Sequence, residues 1–302
     1  MYVVDMHCDS IGTVNADRGL INPYNYSKEH PQLQFVASFV PRADESPEMR
    51  RKRTMHHLDV YIAEQRRLKL VPVLSCHDLN FAIEFDRRAS LFSIEGGGGL
   101  FADSEELVTL YRAGLRVLGL AWDTNELAAC AWDRNDTGLT PEGVAMVKRC
   151  SELGIILDVS HLSDNSFYGV LEATAYPVIA THSNFREVCA SPRNLTLDMA
   201  RKIAARGGII GLNLYPNFLS DTGRAGGDDI IRHVDYALEH LGEDVLAFGF
   251  DIDGTDGHYP DGLDESSSIH DRVIDLLSKR YTDRVVEKIA GGNAIDFFKC
   301  NL

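Results

Sequence analysis

The sequence predicts an α/β chain folded as one (β/α)8 TIM-type barrel, and three observations carry that expectation. Eight short apolar runs, continuous rather than alternating, fall at 2–6, 35–40, 90–94, 116–121, 155–159, 177–181, 208–213 and 245–250. Longer segments with helical spacing separate them. The length of 302 residues is ordinary for a barrel of this type, which needs roughly 250 residues.

Each element follows from its residues. Continuous apolar runs suit parallel strands, because helices cover both faces of such a sheet. The first run, YVVDM, opens the chain at once, with no basic and apolar leader ahead of it. The helix expected over 140–153 has Thr140 as its N-cap and Pro141 at its first helical position. Another, over 196–206, is preceded by Thr196 and ends at Gly207. A further apolar run, KLVPVL at 69–74, falls outside the count of eight and reads as a lead-in to the helix before residue 90. With no low-complexity linker, fixed-period repeat or composition shift, residues 1–302 read as a single domain.

Composition excludes several functions. A net charge of −15 argues against a nucleic-acid partner, since phosphates need a basic surface. The one basic run, Arg50-Arg51-Lys52-Arg53, reads as a solvated helix start or loop. Six scattered cysteines without a CxxC pair suggest neither a disulfide framework nor a thiolate zinc site. No run of about 18 apolar residues offers a membrane segment. The expectation is therefore a cytoplasmic protein.

Chemistry in such a barrel is built at the carboxyl ends of the strands. The first run ends in His7-Cys8-Asp9, and side chains at i and i+2 of a strand point the same way, so His7 and Asp9 can grip one cation. A buried salt-linked His–Asp pair is the alternative. Glu95 follows the third run, His161 the fifth, His182 the sixth, and Asp251 the eighth, with Asp253 just behind. Imidazole with carboxylate suits zinc rather than calcium. His7, Asp9, Glu95, His161 and His182 make five ligands, more than the three that one catalytic zinc needs, which implies two Zn2+ that could share Glu95 as a bridge.

These segments, HCD, IEGG, LDVSHLS, IATHSNFREVCASPRN and GFDIDG, occur in an order that resembles the renal (membrane) dipeptidase family of the amidohydrolase superfamily. The resemblance implies a zinc-dependent hydrolase of dipeptides, tolerant of a D-residue at the C-terminal position. It implies that His7, Asp9 and Glu95 hold one metal, and Glu95, His161 and His182 the other. Arg193 matches the arginine that holds the substrate carboxylate, a role suited to a guanidinium fork; a helix-flanking surface charge is the alternative. Asp251 matches the acid that binds the substrate amine and handles protons, with Asp253 as its rival. The expected nucleophile is a metal-bridging hydroxide, activated by the ion pair. The family also implies a homodimer, although no interface is legible.

Two departures bear on substrate. Trp122 stands where the renal branch has a substrate-contacting histidine, and Gly98 where it has a histidine after its paired glycines. An amidase or lactonase on another small carboxylated substrate, or a non-catalytic binding barrel, remain as alternatives. Asn125 reads as an N-cap or a lining residue, and Tyr215 and Asn217 as lining residues. His56, His57, His233 and His240 read as structural, and residues 254–268 as a loop over the site. The glycines of SIEGGGGL lack the Lys-Ser/Thr of a phosphate loop and read as a sharp turn that spares the ions side-chain crowding.

Overall fold

The computed structural model describes residues 1–11, 31–40, 45–263 and 269–302. Its strands are β1 (Val4–Asp5), β2 (Leu33–Phe39), β3 (Val71–Pro72), β4 (Ala89–Glu95), β5 (Leu115–Gly119), β6 (Ile156–Asp158), β7 (Val178–Ile179), β8 (Ile210–Leu212) and β9 (Leu246–Phe248). All pairings are parallel, in the order β7-β6-β5-β4-β2-β1-β9-β8. A parallel bridge between Ala180 and Ile210 joins the two ends and nearly closes an eight-stranded barrel. Each of the eight expected runs overlaps one barrel strand.

The run at 69–74 does more than lead into a helix. Val71 and Pro72 pair with Ala89 and Ser90, ahead of the point where β5 joins β4 at Phe92. This short strand patches the edge of β4 without entering the barrel, so the count of eight survives.

Helices α1 (Pro47–Leu68), α2 (Cys76–Glu84), α3 (Glu105–Ala113), α4 (Pro141–Leu153), α5 (Asp164–Ala173), α6 (Leu197–Ala205), α7 (Pro216–Leu219) and α8 (Gly227–Leu241) lie between strands. After β9 come α9 (Ile269–Ser278), α10 (Asp283–Glu287), a π-helical turn at Lys288–Gly292 and α11 (Asn293–Asn301). The cap at Thr140 forms as expected, its side chain accepting from Gly143 N, and α4 ends at left-handed Gly154. Thr196 caps α6 through Met199 N.

The basic run starts α1, but Arg50 is buried rather than solvated and pairs with Glu126. Asn125 caps no helix; its side chain accepts from Leu127 N and donates to the Leu120 carbonyl, fixing a loop.

A buried cluster takes residues from in or beside every barrel strand: Met6, Phe35, Leu91, Val117, Ile156, Ile179, Ile209 and Ala247. Phe297 and Phe298 of α11 belong to it, Phe298 meeting Phe35 edge-on at 4.9 Å. The interior is thus packed rather than open, as barrels of this type require. Polar side chains collect beyond the strands' carboxyl ends. Register helps, because Glu95 pairs level with Phe39 on one side and Gly119 on the other, and Gly119 with Asp158.

Candidate metal centre

His7 and Asp9 follow β1, Glu95 ends β4, and His161, His182 and Asp251 each sit three residues beyond a strand. The barrel brings all six together, each between 1% and 8% exposed. His7 Nε2 lies 3.5 Å from Asp9 Oδ2, 3.6 Å from Glu95 Oε2 and 3.8 Å from Asp251 Oδ1. His161 Nε2 and His182 Nε2 lie 2.7 and 3.2 Å from the other Glu95 oxygen, Oε1, and 2.9 Å from each other. Glu95 therefore turns one oxygen to each half of the cluster. Three overlapping sets of ligand atoms could each hold a cation: His7, Asp9 and Glu95; Glu95, His161 and His182; and His7, His182 and Asp251.

The electrostatics fit metal cations. Burial, then the Asp9 charge, pushes the Glu95 carboxyl up to about 7, and burial with the Asp9 charge outweighs His7 to push Asp251 up to about 6. Burial alone would lower His7, but the charges of Glu95 and Asp9 outweigh it and raise that imidazole well above its ordinary value. Burial, with the nearby positive charges of Arg193 and His7, drives His161 and His182 well below theirs. Acids crowded in one buried place repel one another, and a cation among them would relieve that repulsion, while His161 and His182, held neutral, are donors that divalent transition metals take.

The hydrogen bonds behind His182 fix its tautomer. Asp158 can only accept, so the Thr181 hydroxyl donates to its Oδ2 at 2.5 Å. That hydroxyl must then accept from His182 Nδ1, at 2.8 Å. His182 Nε2 is left as a lone pair aimed into the cluster, the arrangement a metal-ligating histidine needs. Asp5 holds the opposite side, accepting from the backbone N–H of His7 and Phe250 and pairing with His270 Nε2 at 2.7 Å. Asn213 donates to Asp251 Oδ2 at 3.0 Å.

Backbone conformation adds to the picture. His161 and Asp251 adopt left-handed φ of 67° and 62°, unusual for residues with side chains and frequent where function requires it. Gly254 lies so close that a Cβ there would collide with both Asp251 Oδ1 and Asp9 Oδ2. Gly96, with φ 84°, makes the sharp turn expected directly after Glu95, and the later glycines add a second purpose. A Cβ on Gly99 (φ 90°) would strike the Pro47 carbonyl in the first turn of α1, and Gly99 N donates to Glu126, the partner of Arg50. Gly98 and Gly99 thus admit α1.

A cavity of about 320 Å³ opens over the cluster. Trp122, Tyr215 and Asn217 line it as expected, together with His161, Asp251 and Phe218. Trp122 packs edge-on against Phe39 at 5.1 Å and lies 5.9 Å from the His161 ring. Arg193 is 3% exposed and does not line this cavity; its guanidinium lies 5.7 Å from the Phe218 ring centre. Its terminal nitrogens donate to Ser183 Oγ and the His182 carbonyl at 2.7 Å, while Nε has no partner. Arg193 is no surface charge. Asp253 takes a bond from Ser10 at 2.7 Å and joins none of the three ligand sets, unlike Asp251.

Sequence reasoning missed Asp5, Asp158, Thr181, Asn213, Trp132 and His270. Two carried a signal: Asp5 and Asp158 are acids inside continuous apolar runs, and a buried acid demands partners. His233 and His57 are structural as expected. His233 accepts from Phe185 N, and His57 meets Ser38 Oγ at 3.0 Å. Of the loop expected over the site, 264–268 lie outside the described residues.

A nearly closed barrel with a buried histidine–carboxylate cluster at the carboxyl ends of its strands is a scaffold able to hold metal cations. A family model described as membrane dipeptidase (peptidase family M19) matches residues 2–300, and the chain belongs to that family of peptide-bond hydrolases. It is 32% identical over 237 residues to a Klebsiella pneumoniae protein described as an uncharacterized protein in the pqqA 5' region, covering 75% of this chain and 87% of that one. It is 28% identical over 234 residues to human Dipeptidase 3, covering 75% of this chain and 47% of that protein. The chain thus spans about half the length of that relative. The crystal structure of a Rhodobacter sphaeroides metallo peptidase liganded with a phosphinate mimic of the dipeptide L-Ala-D-Ala superimposes with a TM-score of 0.86 at 22% identity, covering 100% of this chain and 99% of that one. An amidohydrolase from Pseudomonas aeruginosa gives 0.83 at 19% identity, covering 99% and 95%. At these identities the likeness concerns the fold. No described helix is long and apolar enough to cross a membrane.

Proposed function

We propose that this chain is a dipeptidase using two zinc ions, held by His7, Asp9 and Glu95 on one side and by Glu95, His161 and His182 on the other. The observation that carries the reading is the split of Glu95, with Oε2 toward His7 and Oε1 toward His161 and His182. When bound, the ions supply Lewis-acid polarisation of the scissile carbonyl and activate the attacking water.

The chain's own residues supply the rest. Asn213 holds Asp251 by Oδ2, leaving Oδ1 toward His7 and the cavity. That oxygen takes the water's proton and returns it to the leaving amine. Held by Asn213 and standing on the cavity wall, this carboxylate is placed for such general acid–base work. Asp251 also faces the substrate's ammonium, and Arg193, with Nε unspent, supplies positive charge for the terminal carboxylate. Trp122 and Phe218 exclude water from the cavity. The reading includes tolerance of a C-terminal D-residue.

A panel of L,L- and L,D-dipeptides, assayed with the zinc-loaded protein and after chelation, tests this. Turnover that chelation abolishes is expected, with inhibition by a phosphinate dipeptide mimic. Activity on a lactone or N-acyl amino acid, with none on any dipeptide, would overturn it.

A further inference from the structure

The cavity over the cluster is more aromatic and more acidic than a dipeptide backbone requires. Two indoles, Trp122 and Trp132, line it with the rings of Tyr215 and Phe218. Trp132 is 49% exposed, with Phe218 its nearest ring at 6.3 Å. Asp251 and Asp256 also line it, and no lysine or arginine does. In the dipeptidase reading Asp251 faces the substrate's own ammonium. Asp256 is then surplus: it is exposed, and no hydrogen bond or ion pair among the described residues engages its carboxylate. Asp251 stands on the wall and Arg193 does not, so the open volume belongs to the amine-bearing half of the substrate.

We propose that this volume selects dipeptides whose N-terminal residue carries a cationic side chain, lysine or arginine, with its aliphatic stem against the indoles and its charge at Asp256. The inference rests on the dipeptidase reading and adds its substrate class. Indole faces are the best aromatic partners for a cation, and long basic side chains lay their methylenes along apolar walls. A volume of about 320 Å³ suits a dipeptide with one long side chain rather than a longer peptide. The chain's net charge of −15 draws cations toward it.

The test compares kcat/KM for Lys-Ala, norleucine-Ala and Glu-Ala on the zinc-loaded protein. Norleucine keeps the stem of lysine without its charge. Lys-Ala is expected to exceed norleucine-Ala by about tenfold and Glu-Ala by more. Asp256→Asn and Trp132→Leu should each shrink the lysine-to-norleucine ratio toward one. That ratio does not depend on how much of a variant is folded. Norleucine-Ala or Glu-Ala turned over as well as Lys-Ala, or a ratio untouched by both substitutions, would overturn the inference while leaving the dipeptidase reading intact. Turnover of none of the three, nor of any other dipeptide, would sink both.

Discussion

Removing one hydroxyl tests whether the network behind His182 prepares it for metal. Thr181→Val keeps the branched shape and volume but deletes the oxygen that joins Asp158 Oδ2 at 2.5 Å to His182 Nδ1 at 2.8 Å. Two buried polar atoms then lose a partner, while Asp158 Oδ1 still accepts from Ser160 N and Thr181 N. Leaving such an atom unsatisfied costs about 1–3 kcal/mol. Part of that falls on folding, and the rest on the orientation and basicity of the imidazole. Loss of an outer partner of a ligating histidine weakens metal binding about 10–100-fold, or about 1.4–2.7 kcal/mol. The assay is competition with a chelator of known zinc affinity, read beside the melting temperature of the metal-free protein. We expect one of two bound ions to weaken by that factor, and Thr181→Ser, which restores the hydroxyl, to recover most of it. Wild-type affinity for both ions in Thr181→Val, or no rescue by serine, would refute the relay.

Other outcomes follow from single features. Gly254→Ala drives a methyl group into Asp9 Oδ2 and Asp251 Oδ1, so metal affinity should fall at least tenfold, at a stability cost of about 1–3 kcal/mol; unchanged chelator competition would contradict this. His57 is held neutral because burial, with the positive charge of Arg53, lowers it to about 4 from 6.5. Its folded value is depressed, so the stability tied to the neutral ring is complete above 6.5 and is lost as pH falls toward 4. At pH 5 the loss is about 2 kcal/mol. Urea melts between pH 7.5 and 5 should show a shallower pH slope for His57→Asn, and equal slopes would count against the assignment.

The fold was legible because parallel strands covered on both faces leave continuous apolar runs, and each of the eight runs overlaps a strand. KLVPVL misled because two residues pairing with the edge of β4 look no different in sequence from a lead-in to α2. The cluster was legible because the barrel places whatever follows each strand at one end, so His7, Asp9, Glu95, His161, His182 and Asp251 could be read from their offsets. Their supports could not. Thr181 matters through Asp158, which lies 23 residues away in sequence, and His270 through Asp5, 265 residues away. Arg50 reads as solvated in RRKR because nothing nearby in the sequence announces Glu126 or the glycines packed against it.

The central claim is that one carboxylate, Glu95, joins two metal ions on which hydrolysis depends. Its most direct measurement is zinc content per chain, titrated into the metal-free protein while dipeptide hydrolysis is followed, for wild type and Glu95→Gln. Activity should rise to a maximum at two zinc ions per wild-type chain. Glu95→Gln should stay folded, retain at most one ion and be nearly inactive. Full wild-type activity with a single ion, or full activity in Glu95→Gln, would contradict it.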